Sequence, residues 1–157
     1  MSMKCDMDTT LMSSNDINLA WAAGFFDGDG CTSITKQQVE GRKNKTYRLR
    51  LTLVQNCPDT LKHFERVLDE HAFITTPGPK MEHNKQIYSL IYDGRHALAV
   101  LQKLHPHLVR KKMGASAAMR FWHEGQMGTL PGPKGFGADV WKAREYWFKK
   151  LKMLHQR

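Results

Sequence analysis

The 157-residue chain holds 24 Lys and Arg against 15 Asp and Glu, a formal net charge of +9, and at this length it is expected to fold as one domain (1–157) without disulfide or metal staples. Its three cysteines, Cys5, Cys31 and Cys57, are widely spaced and form no C-x-x-C, which argues against a disulfide framework or zinc knuckle and for a reducing compartment. No apolar run approaches the roughly 18 residues that span a bilayer, and the acidic, Arg-poor start MSMKCDMDTTLMSS lacks the character of a targeting signal, so a soluble protein of the cytoplasm or an organelle matrix, with no membrane partner, is expected.

Residues 1–15 read as a flexible polar leader. Ser14, Asn15 or Asp16 can cap a helix that starts near Ile17 and runs into LAWAAGFFDGDG (19–30). After Gly30 the pattern changes to period two, with Ser33, Thr35 and Gln37 alternating with Thr32, Ile34 and Lys36, and VEGRKNK (39–45) supplies a turn. In TYRLRLTL (46–53), Tyr47, Leu49, Leu51 and Leu53 are apolar and Thr46, Arg48, Arg50 and Thr52 polar, so one face packs and the other is wet. Pro58-Asp59 opens an amphipathic helix with Leu61, Phe64, Val67 and Leu68 inward. A weak strand at 73–76, the turn PGPK (77–80) and a strand from about Gln86 to Tyr92 follow. The Asp93-Gly94 turn leads into a third helix, with Leu98, Leu101 and Leu104 inward, that ends at Pro106. A fourth helix is predicted from about Leu108 to Glu124, then a loop (126–137) and a basic terminal helix (138–157), its pattern clearest from Val140 to Leu154. The fold class read from this order is α+β: an αββαββ core with additional C-terminal helices, the helices covering one face of a four-stranded antiparallel sheet.

Charge is distributed unevenly. Residues 1–30 hold five acids and one base, leaving 23 bases and 10 acids, or +13, in residues 31–157. A basic body with a small acidic spot is the outline of a nucleic-acid-binding protein, although a merely soluble basic protein shares that composition. Several motif readings fail on spacing. An EF-hand starting at Asp27 would put Thr32 at position 6 and Gln38 at position 12; one with Asp27 third would start at Phe25 and end at Lys36. Lys134 is followed by Gly135 rather than Ser or Thr, so the glycine-rich loop is no Walker A. His105-x-His107 has no Cys or acidic partner nearby and reads as a surface pair.

The first helix remains. Ala20, Gly24 and Gly28 recur every four residues and form a nearly side-chain-free stripe where a second helix can approach closely, while Leu19, Ala23 and Phe26 face the core. A tight intrachain packing ridge would look the same. Asp27 and Asp29, however, sit at a helix C-terminus, where the macrodipole disfavours negative charge. A cation would reverse that cost.

AAGFFDGDG (22–30) resembles the LAGLIDADG motif of homing endonucleases, and the αββαββ order is that family's core; the likeness covers roughly residues 17–125. Gln55 resembles the family's polar residue beside the metal site, and Pro106-x-Leu108-x-x-Lys111-Lys112 resembles the segment that brings a catalytic-pocket lysine. Around Thr60, where relatives place a second basic pocket residue, there is none, leaving Arg110, Lys112 or Lys80 as candidates. The resemblance implies that two such helices pack along the stripe and set two acidic ends beneath the scissile phosphates, with divalent cations between them.

It implies Asp29, Gln55 and Lys111 as catalytic residues, Asp29 and the Gly28 carbonyl as metal ligands, and Asp27 as support for the turn. Ala20, Gly24, Asp27 and Gly28 would form the dimer interface. The cofactor expected is Mg²⁺, with Mn²⁺ substituting and Ca²⁺ binding without turnover. Only one copy of the motif is present, because Asp93-Gly94 follows a strand, so a homodimer on a near-palindromic DNA site on the order of 20 bp is implied. Base reading falls to the solvated strand face: Ser33, Thr35, Gln37, Thr46, Arg48, Arg50 and Thr52, with Lys85, Ile87 and Ser89, and with Arg48 and Arg50 suited to guanine. Lys142, Arg144, Lys149, Lys150 and Lys152 are expected to clamp phosphates, and Trp141, Tyr146, Trp147 and Phe148 to pack. The activity implied is site-specific double-strand cleavage in intron homing, leaving 3′-hydroxyl and 5′-phosphate ends with short 3′ overhangs. The alternatives are a maturase binding intron RNA and a DNA-binding regulator without chemistry.

Overall fold

The structure, a computed structural model, describes residues 13–76 and 85–155. Residues 1–12 of the leader, the PGPK turn and Lys80 lie outside them. The first helix, α1 (Ser14–Asp29), is capped one residue before the earliest expected position: Ser13 Oγ accepts from the Asp16 amide at 3.2 Å and donates to the Asp16 carboxylate at 2.8 Å. Such reciprocal bonding satisfies an orphan N–H and places an acid in the first turn, where the dipole favours it.

Strand β1 (Gly30–Gln37) follows α1 with no linker and pairs antiparallel with β2 (Thr46–Gln55), Gly30 opposite Leu53 and Gln37 opposite Thr46. Helix α2 (Pro58–Leu68) has Pro in its first turn, where a missing N–H costs nothing. The short edge strand β3 (Phe73–Thr75) and β4 (Tyr88–Asp93) complete an antiparallel sheet in the order β1-β2-β4-β3. Because β4 starts at Tyr88, Lys85 and Ile87 precede it rather than belonging to its face. Helix α3 (Gly94–Leu104), a 3₁₀ turn (His105–His107), α4 (Lys112–Glu124) and α5 (Ala138–His155) follow. The expected α+β order is observed, with α4 beginning four residues later than its periodicity suggests.

The period-two pattern of β2 is realised as burial. Tyr47, Leu49, Leu51 and Leu53 are buried beneath the helices, where Phe26, Phe64, Leu101 and Phe121 meet them. The opposite face, carrying Arg48 and its neighbours, has no helix over it among the described residues. His105 Nε2 lies 2.8 Å from Ser116 Oγ, which ties the 3₁₀ turn to α4 and accounts for it without a ligand.

Helix α5 is locked down by Glu145. Its carboxylate accepts from Lys36 Nζ at 2.6 Å and from Tyr47 Oη at 2.5 Å, and these hydrogen bonds, Lys36 first, hold its pKa down to about 2. A depressed carboxylate contributes stability above its unfolded pKa and loses it as pH falls through the folded value. Glu145→Gln is therefore expected to cost about 2 kcal/mol at pH 7, read from urea midpoints, with the difference from wild type shrinking as pH drops from 4.5 towards 2. A pH-independent difference would remove the carboxylate from this role.

Candidate functional site

Gly30 joins α1 to β1 so tightly that a Cβ there would collide with the Phe26 ring. The turn therefore requires glycine, and it delivers the helix end directly onto the strand. The β1–β2 register sets Gln55 two residues past Leu53, the partner of Gly30. Gln55 Nε2 consequently donates to Asp29 Oδ2 at 2.5 Å, and the pair is exposed at the end of the sheet. Two of the three residues expected to be catalytic meet there.

Asp27 has a different role. Its carboxylate accepts from the Val109 amide at 2.8 Å and the Lys111 amide at 2.9 Å. These contacts hold 109–111 as an open turn and explain why α4 starts late. The carboxylate of Asp27 is thus engaged within its own chain. Lys111 Nζ then reaches back to donate to the carbonyls of Phe26, at 3.2 Å, and Gly30. An ammonium on the last carbonyls of a helix complements the dipole. Burial, then the neighbouring Arg110, push the Lys111 pKa down, while Cys31, Asp27 and Asp29 oppose that shift. Asp27 and Lys111 together clasp the C-terminus of α1 beside Asp29.

A cleft of about 360 Å³ opens next to this clasp, lined among others by Cys31, Thr32, Arg110, Lys111 and His155. Arg110 is exposed on it and is the second cation nearest the pocket; Lys112 is not among its lining residues.

The small-residue stripe points outward. Ala20, Gly24 and Gly28 are exposed, and a Cβ at Gly24 or Gly28 would meet no atom within 4 Å. Ala23 and Phe26 are buried and Leu19 half-buried, as expected. Ile17 and Trp21, 56% and 38% exposed, flank the stripe. Among the described residues nothing of its own chain packs on the stripe, which argues against the reading of an intrachain ridge.

On the uncovered sheet face, Gln37 pairs with Thr46, Thr35 with Arg48, and Ser33 with Arg50, so these positions form successive rows across β1 and β2. Ser89 opposite Val54 and Asp93 opposite Arg50 extend the face onto β4. Arg48 is exposed and makes no ion pair among the described residues. Arg50 is not equivalent: its Nε and Nη2 bond both oxygens of Asp93, at 2.7 and 2.9 Å. Its bidentate fork is already occupied.

Helix α5 lies on the covered side, since Glu145 bonds Lys36 and Tyr47 there. Lys142, Lys149, Lys150 and Lys152 therefore ride on the helix layer rather than the strand face. Arg144 is buried, its guanidinium 4.6 Å from the rings of both Phe136 and Trp141 and its Nε donating to the Gly125 carbonyl at 2.7 Å. Its burial overturns the phosphate-clamp reading of Arg144. Trp141, Trp147 and Phe148 pack against the core as expected, while Tyr146 is 56% exposed. Missed instead were Arg42, Lys43 and Lys45, exposed at the β1–β2 tip, which with Lys134 line a groove of about 510 Å³. The charge run in VEGRKNK was the available signal.

No protein-family model and no curated protein matches the chain. Solved structures do. The homing endonuclease I-CvuI, in complex with its target in the presence of Ca, is 20% identical and superposes with a TM-score of 0.70 over 89% of this chain and 83% of that one. The archaeal intron-encoded homing endonuclease I-Vdi141I, complexed with DNA, is 13% identical with a TM-score of 0.69, over 88% and 84%. The LAGLIDADG homing endonuclease I-GzeII, in complex with its DNA target, is 9% identical with a TM-score of 0.64, and the match covers 85% of this chain but 43% of that one. The chain therefore has the fold of the LAGLIDADG homing endonucleases.

Proposed function

We propose that the chain is a site-specific DNA endonuclease that works as a homodimer and cuts both strands in a Mg²⁺-dependent hydrolysis of the intron-homing kind. The observation that carries this reading is the exposed Asp29–Gln55 pair at the end of a helix whose small-residue stripe is left uncovered. Two copies packed along the stripe bring two Asp29 carboxylates together, and the open sheets become one continuous surface for a duplex. The chain spans less than half of the I-GzeII chain, which leaves room there for two such units. I-CvuI structures with Ca and with Mg present support a divalent cation.

The donor set fits a hard cation. Among the described residues no group of three or more His, Cys, Asp or Glu could hold a metal, and with Asp27 engaged, Asp29 is the acid left to face outward. Mg²⁺ is commonly held by one or two carboxylates, waters and substrate phosphates, and Asp29 from each copy, with the Gly28 carbonyl, supplies the protein share. When bound, the ion activates water and neutralises charge on the phosphate. The residues do the rest. Gln55 orients the Asp29 carboxylate through its 2.5 Å bond. Lys111, held beside Gly30, and Arg110 on the adjoining cleft place positive charge where the transition state becomes more negative.

Digesting a random-sequence DNA library with Mg²⁺ and sequencing the ends tests the proposal: paired cuts within one preferred site support it, and a protein that binds DNA but never cuts is instead a regulator. On the selected site, Arg48→Ala should relax preference at one position per half-site by about 1–3 kcal/mol, whereas Arg50→Ala should change preference little because Asp93 holds its fork. Lys43→Ala should weaken all sequences alike and reduce the salt slope by about one. Unchanged specificity in Arg48→Ala would show that the strand face does not read bases.

A further inference from the structure

The uncovered sheet face is not chemically uniform. From β1 across to β3, its row nearest the Asp29 end but one reads Cys31, Thr52, Ile91 and Phe73, and the row at that end reads Val54, Ser89 and Thr75. Val54 is 44% and Phe73 43% exposed, and Ile91 is half-buried. Pairing puts Ile91 between Thr52 and Phe73, with Val54 one row on. Three apolar side chains thus form a contiguous patch, whereas every position of the distal rows, from Ser33 and Arg50 out to Gln37 and Thr46, is polar or charged. Among the described residues no helix covers this face.

We propose that Val54, Ile91 and Phe73 read thymine methyl groups in the cut-proximal part of each half-site. The inference rests on the reading of this face as the DNA surface. On the floor of the major groove the thymine C5-methyl is the apolar group that distinguishes the base pairs, and apolar side chains are its natural contacts. The location follows from the register. Val54 immediately precedes Gln55, which bonds Asp29, so the patch lies next to the reacting phosphate. Successive rows on one face are about 6.7 Å apart, the rise of about two base pairs. The patch therefore covers the first few base pairs out from the cut, while the guanine-reading Arg48 stands two rows beyond Thr52. Arg50, the row between, is neutralised by Asp93 and leaves the patch next to an ion pair instead of a bare cation. The occupant is DNA because the patch lies on the same strand face as Arg48, on a chain of net charge +9.

The test needs no change to the protein. In the selected site, cut-proximal thymidines are replaced one at a time by 2′-deoxyuridine, which keeps pairing and removes only the methyl, and binding is measured by gel shift with Ca²⁺. Each methyl buried by the patch should cost about fourfold in affinity. Where T→C weakens binding, 5-methylcytosine should recover part of the loss. Val54→Ser and Ile91→Ser, which remove the methyl groups and are checked for folding by urea titration, should each bind thymidine and deoxyuridine alike at the position that side chain contacts and keep the Arg48-dependent preference. A selected site without cut-proximal thymines, or a wild type indifferent to deoxyuridine while Arg48 still discriminates, overturns this inference alone. A wild type that binds no DNA overturns the nuclease reading as well. Self-association of the DNA-free protein that Val54→Ser relieves would show that the patch docks a second copy instead.

Discussion

Asp29→Asn is expected to abolish cleavage, by at least about a thousandfold, and to leave DNA affinity intact or improved. Asp29 is exposed, its only bonded side-chain neighbour among the described residues is Gln55, and it holds no other element in place. The substitution keeps the shape and deletes the charge that would ligate the metal. On the proposed reading affinity would come from elsewhere, from Arg48 on the strand face and the cations of the hairpin tip, and removing a negative charge that faces phosphate would favour binding. Ca²⁺ in place of Mg²⁺ should give the same phenotype in the unmutated protein, because it accepts the same oxygens with looser geometry. The measurement is a gel shift in Ca²⁺ beside a cleavage assay in Mg²⁺ on the selected site. Undiminished cutting by Asp29→Asn would refute the assignment of this residue. Asp27→Asn makes an informative companion, since loss of the carboxylate that holds the Val109 and Lys111 amides should disturb folding as well as activity.

Gly24→Leu should convert the protein from a dimer to a monomer without harming the chain itself. Among the described residues a Cβ at Gly24 meets nothing within 4 Å, so the substitution meets no clash there. Replacing a mid-helix glycine should even stabilise α1 by about 0.8–1 kcal/mol. Between two copies the outcome reverses: helices that approach along glycine and alanine have no room for a leucine, and overpacking costs about 1–3 kcal/mol at each of two symmetric contacts. Sedimentation should give twice the 18.1 kDa chain mass for wild type and the chain mass for the variant, with double-strand cleavage lost and thermal stability at low protein concentration kept or raised. A wild type that stays monomeric both alone and on DNA would dispose of the two-fold arrangement.

The elements themselves were legible because each has a period or a cap of its own. The alternation of Tyr47, Leu49, Leu51 and Leu53 specifies a half-buried strand wherever that strand is placed, and Phe64 and Leu68 specify the inner face of α2. Asp29 and Gln55 could be singled out, yet their contact depends on the β1–β2 register, which hydrophobic alternation and a hairpin turn constrain jointly. The late start of α4 was not legible, because the two amides that interrupt it are bonded by a carboxylate more than eighty residues away.

What the amino-acid sequence determined by itself was local: the helix that ends in two acids, the amphipathic strands and the basic balance. What only the tertiary structure decided was the use of each charge and each face. Arg48 and Arg50 are indistinguishable in the strand pattern, and the pairing of Arg50 with Asp93 across β2 and β4 separates them. Arg144 and Lys149 read alike in a basic helix, and docking on the 126–137 loop buries one between two rings while the other stays at the surface. The Ala20–Gly24–Gly28 stripe is compatible with a partner in the same chain or in another, and the described residues of the fold leave it bare. The physical reason is common to all three. Periodicity reports which side of an element is apolar, whereas the partner of a charge or of a small-residue face is fixed by long-range packing that no local pattern encodes.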